Sequence, residues 1–144
     1  MSTTPTPAPP EYGMPISLAD AKKVLQAAEV EAIANGWPLA MAIVDSSGHL
    51  VLFEKLDHTQ LASVRIAQAK AETAVKFKKP TKVFQDTVAA GGVGLRLLAM
   101  DGMCPLEGGV PLMQGGKVVG GIGVSGMQSS QDAQVAIAGA SVLK

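Results

Sequence analysis

Near the C-terminus two apolar runs, V-P-L-M from Val110 and K-V-V-G-G-I-G-V-S from Lys117, flank the pair Gly115-Gly116. Gly-Gly between strand-like runs is the composition of a two-residue hairpin turn, which needs positive φ at its central positions. Only 18 residues follow Gly126, room for one helix and nothing after it. The chain therefore ends on an antiparallel hairpin and a helix. This decides how to read Gly121, Gly123 and Gly126, which match the spacing G-x-G-x-x-G. In a dinucleotide fold that turn leads through a helix to a second parallel strand and an acidic residue about 20 positions on. No chain is left to supply them. Glycine inside a strand instead marks close approach by a helix, a neighbouring subunit or a ligand. Gly126 keeps a lesser role as a candidate binding residue, because the helix start behind it can offer backbone N–H groups to an anion.

Upstream, residues 1–13 hold four of the nine prolines and three threonines, a composition that predicts a disordered tail, with a single domain over 14–144. Ser17 followed by Asp20 resembles a capping box, and Leu18, Ala21, Val24, Leu25, Ala28 and Ile33 recur at helical spacing until Asn35-Gly36 stops the helix. Leu39–Val44 and Leu50–Leu56, joined by the turn-rich D-S-S-G-H, read as a hairpin whose first strand is covered on both faces. Residues 59–79 contain neither proline nor glycine and are dense in alanine, which predicts a second helix ended by Pro80. Thr81 can cap a short third helix to Ala90, and Ser129 or Ser130 a last one with Asp132 in its first turn. Between them, Gly91 to Pro105 reads as irregular. The order helix, strand, strand, helix, helix, strand, strand, helix predicts an α+β domain, an antiparallel sheet of about five strands with helices on its faces.

Composition excludes several functions. With 12 acidic and 12 basic residues the net charge is zero, and aromatics make up 3%, so neither a phosphate-attracting field nor a base-stacking platform is present. Nucleic acid is not an expected partner. The single Cys104 forms no internal disulfide, the N-terminus has no secretory signature, and no apolar run nears the roughly 20 residues of a membrane span. A cytoplasmic protein without membrane partners is the expectation. No pair of His or Cys has zinc-ligand spacing, and no nucleophile elbow or Ser-His-Asp order appears.

Chemistry concentrates in a few unexpected places. Projecting 59–79 at 100° per residue puts Arg65, Gln68, Glu72 and Lys76 in one polar stripe. Lys70 falls almost opposite, a heptad from Ser63 and near Phe77, on the alanine-rich side. A lysine there snorkels to water, pairs with a buried carboxylate, or faces a cavity whose ligand is anionic. In P-L-E-G-G-V-P, residues 105–111, two prolines stiffen a loop in which Gly108-Gly109 present unobstructed N–H groups, either an anion nest or a strand start with unusual dihedrals. His49 lies in the D-S-S-G-H turn, and His58 follows Asp57 just before the second helix. A haem needs only one axial ligand, so His49, His58, Cys104 or one of the seven methionines could supply it.

V-D-S-S-G-H-L-V, L-A-S-V-R-I-A-Q-A-K-A-E-T-A-V-K-F-K-K-P-T, P-L-E-G-G-V-P-L and V-G-G-I-G-V-S-G resemble, in that order, successive blocks of the GlcG/HbpS family. Its members include haem-binding proteins and the C-terminal domain of PduO-type proteins. The resemblance implies a profilin-like α/β/α sandwich assembled into dimers or larger rings such as an octamer, with haem bound or degraded by some members. It makes His58, and secondarily His49, candidate haem ligands, with Lys70 or Arg65 meeting the propionates and Ser63 nearby. The competing reading is an enzyme acting on a small carboxylate, with Gly108, Gly109 and Lys70 holding the anion while Asp57, His58 or Glu107 moves protons. A stabilising partner of another enzyme is a third.

Overall fold

The computed structural model describes residues 6–144. Helix α1 (Leu18–Asn35) is followed by strands β1 (Ala40–Asp45) and β2 (Leu50–Lys55), helices α2 (Ser63–Phe77) and α3 (Lys82–Ala89), a 3₁₀ segment (Gly92–Ala99), strands β3 (Gly109–Gln114) and β4 (Lys117–Ser125), and helix α4 (Ser129–Ala140). The α+β class is as expected, but the sheet has four strands in the order β2-β1-β4-β3, all antiparallel, where about five were expected. Two segments that could have supplied a fifth strand do other things. Gly92–Ala99 coils as 3₁₀, and Tyr12 makes only an isolated parallel bridge to Val118, beyond the end of β1.

Period-two alternation divides the sheet between two cores. Ala40, Ala42 and Val44 of β1 face Ala67, Ala71 and Val75 of α2, while Met41 and Ile43 face Ala28 of α1 and Val135 and Ala136 of α4. Because β1 is buried on both faces, it is apolar throughout. The glycines of β4 explain how α2 sits so close. A Cβ on Gly123 would collide with the Ala67 carbonyl, and one on Gly121 would come within 2.6 Å of the Ala71 carbonyl. The G-G-I-G run is therefore a bed for the α2 backbone, and the alanines of α2 are its counterpart.

Helix ends depart from the expected caps. Ser17 does cap α1 by accepting the Asp20 N–H at 3.1 Å, and Gly36 stops it at φ 71°. Thr81, however, makes no side-chain cap to α3; its Oγ1 instead accepts the Gly109 N–H at 2.9 Å. Gln128, not Ser129 or Ser130, caps α4, through a reciprocal box with Gln131. Helix α2 starts only at Ser63, because Thr59 turns back to bond the Leu56 carbonyl through its hydroxyl at 2.6 Å.

The Pro/Thr-rich tail expected over 1–13 falls partly outside the described residues, at 1–5. Its last residues are held in place rather than disordered. The Val118 amide donates to Glu11, Gly13 donates to Val118, and the Tyr12 hydroxyl donates to the Val75 carbonyl at 2.7 Å at the end of α2. The Lys78 ammonium lies 4.4 Å from the Tyr12 ring centre, a cation–π contact. One aromatic ring thus anchors a segment whose composition is otherwise that of a tail.

Candidate functional site

Three separate places hold most of the residues that the sequence singles out. The first is a cleft of about 520 Å³ where the last turn of α1 meets the exit of β2. Ile33, Trp37, Pro38 and Leu56 wall it, and Glu29, Asp57 and His58 are its polar groups. The local sequence builds it directly. Gly36 in the left-handed region turns the chain so that Trp37 and Pro38 enter β1, and the Leu56 amide donates to the Leu39 carbonyl at 3.0 Å, ending the β1–β2 ladder there. His58 is then held at φ 71°, a left-handed conformation that a non-glycine residue rarely adopts. Such backbone is retained where the surroundings over-determine it, often at a ligand site.

The second place is the buried junction between α2, α4 and the start of β3. Lys70, 2% exposed, crosses from α2 to donate to Asp132 Oδ2 at 3.0 Å and to the Val124 carbonyl at 2.8 Å. Of the three fates open to this lysine, the structure gives pairing with a buried carboxylate. Gly108 makes the crossing possible, since a Cβ there would lie 2.7 Å from Lys70 Nζ, and Gly109 lets its strand press against the Lys70 carbonyl. Burial pushes the Asp132 carboxyl up, against the opposing pull of Lys70 and of the Met127 and Gly126 N–H groups. Met127 donates to Asp132 Oδ1 at 3.0 Å, so the anion at the start of α4 is the protein's own side chain. Gly126, expected to help bind a ligand there, turns its N–H to Asp132, and a Cβ on it would lie 2.6 Å from the Leu39 α-carbon. Cys104 is also buried, its thiol pushed up by burial and lowered in part by the Lys70 charge.

Beside this junction a smaller cavity of about 250 Å³ opens between Pro80, Gly108, Gly109, Val110, Ala133 and Ile137. Glu107 and Lys82 also line it, while Lys70 does not. The third place is the outer face of α2, where Arg65, Gln68, Ala69 and Glu72 line a polar cavity of about 320 Å³.

The expected residues are thus not gathered in one site. Asp57 and His58 share the first cleft, and Lys70, Gly108, Gly109 and Glu107 cluster at the second place. Arg65 lies apart on the outer stripe. Ser63 is fully buried and bonds Ser125 and Gln60, a packing role. His49 sits in the β1–β2 turn with its N–H on Asp45 Oδ1, at the far end of β2 from His58. Six strand residues of about 3.3 Å rise separate the two histidines, so one small ligand cannot meet both. The sequence reading did not select Trp37, Ile33, Glu29 or Leu56 as site residues, or Asp132 as the partner of Lys70. The signal for Trp37 was its position directly after the Asn-Gly helix stop, and for Asp132 its place in the first turn of α4.

Among the described residues no group of three or more His, Cys, Asp and Glu side chains could hold a metal ion, and no helix is long and apolar enough to cross a membrane. A haem asks for less: one axial ligand and an apolar wall. The first cleft has both in His58 and the Ile33, Trp37, Leu56 wall, and its volume lies within the roughly 300–1,000 Å³ of small-molecule sites.

Fold and cavities together define a single-sheet α+β domain, layered with helices on both faces and cleft at its surface. The chain belongs to the HbpS-like family: the family model described as "Haem degrading protein HbpS-like" matches residues 16–141. It is 36% identical over 105 residues to the protein GlcG of Escherichia coli, covering 73% of this chain and 77% of that one. It is 32% identical over 132 residues to the corrinoid adenosyltransferase PduO of Salmonella typhimurium, covering 88% of this chain but 39% of that protein. Among solved structures, HbpS superposes with a TM-score of 0.83 at 32% identity over 92% of each chain. A PduOC:heme complex superposes with a TM-score of 0.82 at 27% identity, over 91% of this chain and 96% of that one. The resemblance carried by the four sequence blocks is confirmed.

Proposed function

We propose that this protein is a cytoplasmic homo-oligomer that binds haem or a related tetrapyrrole in the His58 cleft. The observation that carries the reading is His58 itself, held at φ 71° on the rim of an apolar cleft. Haem seated there would place its iron within reach of an imidazole, its ring against Trp37, Ile33 and Leu56. The solved relative in complex with haem supports the choice of ligand. Assembly is supported by Leu61, Val93, Leu95, Leu98, Met100 and Leu106, apolar side chains exposed on the single chain.

Hemin titration tests the reading by two signals, a shifted Soret band and quenching of the single Trp37. Wild type and His49→Ala should give both, and His58→Ala should lose the shifted band. Equal spectra for wild type and His58→Ala would exclude His58 as the ligand. The competing enzyme reading is the poorer fit, because the Lys70 ammonium already serves Asp132 and Val124, and Asp57 opens onto a different cavity from Gly108.

A further inference from the structure

The charges around the His58 cleft are one-sided. Glu29 projects into it from α1 and Asp57 from the turn after β2, and no lysine or arginine lines it. Glu54 of β2 stands against Glu29, its carboxyl pushed up by burial, by the Glu29 charge and by a hydrogen bond between the two side chains. A tetrapyrrole carries its carboxylates on one edge and apolar substituents on the others. If those carboxylates entered the cleft they would meet two acids and no cation. An apolar edge entering first would meet Ile33, Trp37 and Leu56 and leave the carboxylates in water.

From this juxtaposition we infer that Glu29 and Asp57 are specificity-determining residues, which turn the carboxylate edge of the ligand outward and make the cleft select for a neutral edge. The inference rests on the proposed binding function and adds the charge rule and the orientation. A ligand with neutralised carboxylates should therefore bind at least as well as hemin. Removing either acid should help hemin and do nothing for the neutral ligand. Two like charges about 8 Å apart near water repel by roughly 0.5–1 kcal/mol, which corresponds to about a threefold change in Kd.

The experiment compares hemin with hemin dimethyl ester against wild type, Glu29→Gln, Asp57→Asn and the distant surface variant Asp101→Asn, read by the Soret band at low and at about 0.5 M salt. Thermal melting confirms that each variant is folded. Expected at low salt is that Glu29→Gln and Asp57→Asn each bind hemin about threefold more tightly, that Asp101→Asn and the ester affinities stay level, and that high salt erases the gain. Should wild type bind hemin while both acid variants bind it no more tightly than Asp101→Asn, the charge rule fails and the binding function stands. Should wild type bind neither ligand, the binding function fails and takes the charge rule with it.

Discussion

The junction around Lys70 and the cleft around His58 both contain residues that look out of place in the sequence, yet they solve opposite problems. At the junction every charge is answered from within: Lys70 bonds Asp132 and Val124, and Asp132 also accepts the Met127 N–H. At the cleft the imidazole and two carboxylates face an open apolar wall, and the backbone of His58 is strained. Internal completion is what a structural element needs; an unfinished polar rim beside apolar surface is what a binding site needs. The contrast teaches that an anomalous charge in the sequence points to chemistry only when the fold leaves it unanswered.

The largest expected effect is at Lys70. Lys70→Ala leaves the Asp132 carboxylate buried without its cation, which costs about 3–5 kcal/mol, while replacing both partners by apolar residues, Lys70→Met with Asp132→Leu, costs much less. Chemical denaturation of Lys70→Met, of Asp132→Leu and of the double variant gives the coupling directly. Variants that remain folded should titrate with hemin as wild type does. A Lys70→Ala protein of normal stability would remove the structural reading of the pair, and one that is stable and has lost hemin binding would show that the junction is a functional site.

Next in size is Gly123→Ala. The added methyl meets the Ala67 carbonyl of α2, and lifting the helix off the sheet is worth about 3 kcal/mol. Gly115→Ala, in the hairpin turn with nothing within 4 Å of the new methyl, separates steric cost from the backbone cost of φ 58°. If both variants lost the same stability in a denaturant titration, close packing of α2 would not be the reason for the glycines of β4.

How far the fold was legible follows the same division. Hairpins, helix stops and the alanine face of α2 are local, periodic signals, and they located all eight α-helices and strands that the structure forms; the caps of α3 and α4 differ from the expected ones because Gly109 claims the Thr81 hydroxyl and Gln131 closes a box with Gln128. The sequence placed Lys70 on the alanine-rich face with three fates open, and it could not choose the buried pair, because the partner lies 62 residues away and no spacing rule reaches that far. The cleft was harder still. His58 was visible as a candidate, whereas Trp37, Ile33 and Glu29 come from a different hairpin arm and helix and become neighbours only when α1 docks on β2.

At the cleft, the strain itself is testable. His58→Gly relieves a left-handed residue and should raise stability by about 1 kcal/mol, while His58→Ala keeps the strain and should not. Both variants should lose the shifted Soret band. Thermal melting of the three proteins without ligand gives the comparison. A glycine variant no more stable than the alanine one would mean that the surroundings do not strain this residue, and the case for the cleft would then rest on its apolar wall alone.

The smallest effect belongs to Glu54, which borders the same acidic rim. Its folded carboxyl is raised above the ordinary 4.5 by burial, then by the Glu29 charge and their shared hydrogen bond. The folded protein therefore holds this proton more tightly than the unfolded chain. The resulting stability is present below the unfolded pKa and is lost as pH rises through the folded one. Glu54→Gln mimics the protonated form, so its advantage over wild type should be near zero at about pH 4 and grow toward about pH 7, reaching only a few tenths of a kcal/mol because solvent screens a side chain at the sheet edge. Paired thermal melts across that range measure it. An advantage that does not change with pH would mean that Glu29 and Glu54 do not repel, and that the acidic rim carries less charge pressure against a carboxylate ligand than its residues suggest.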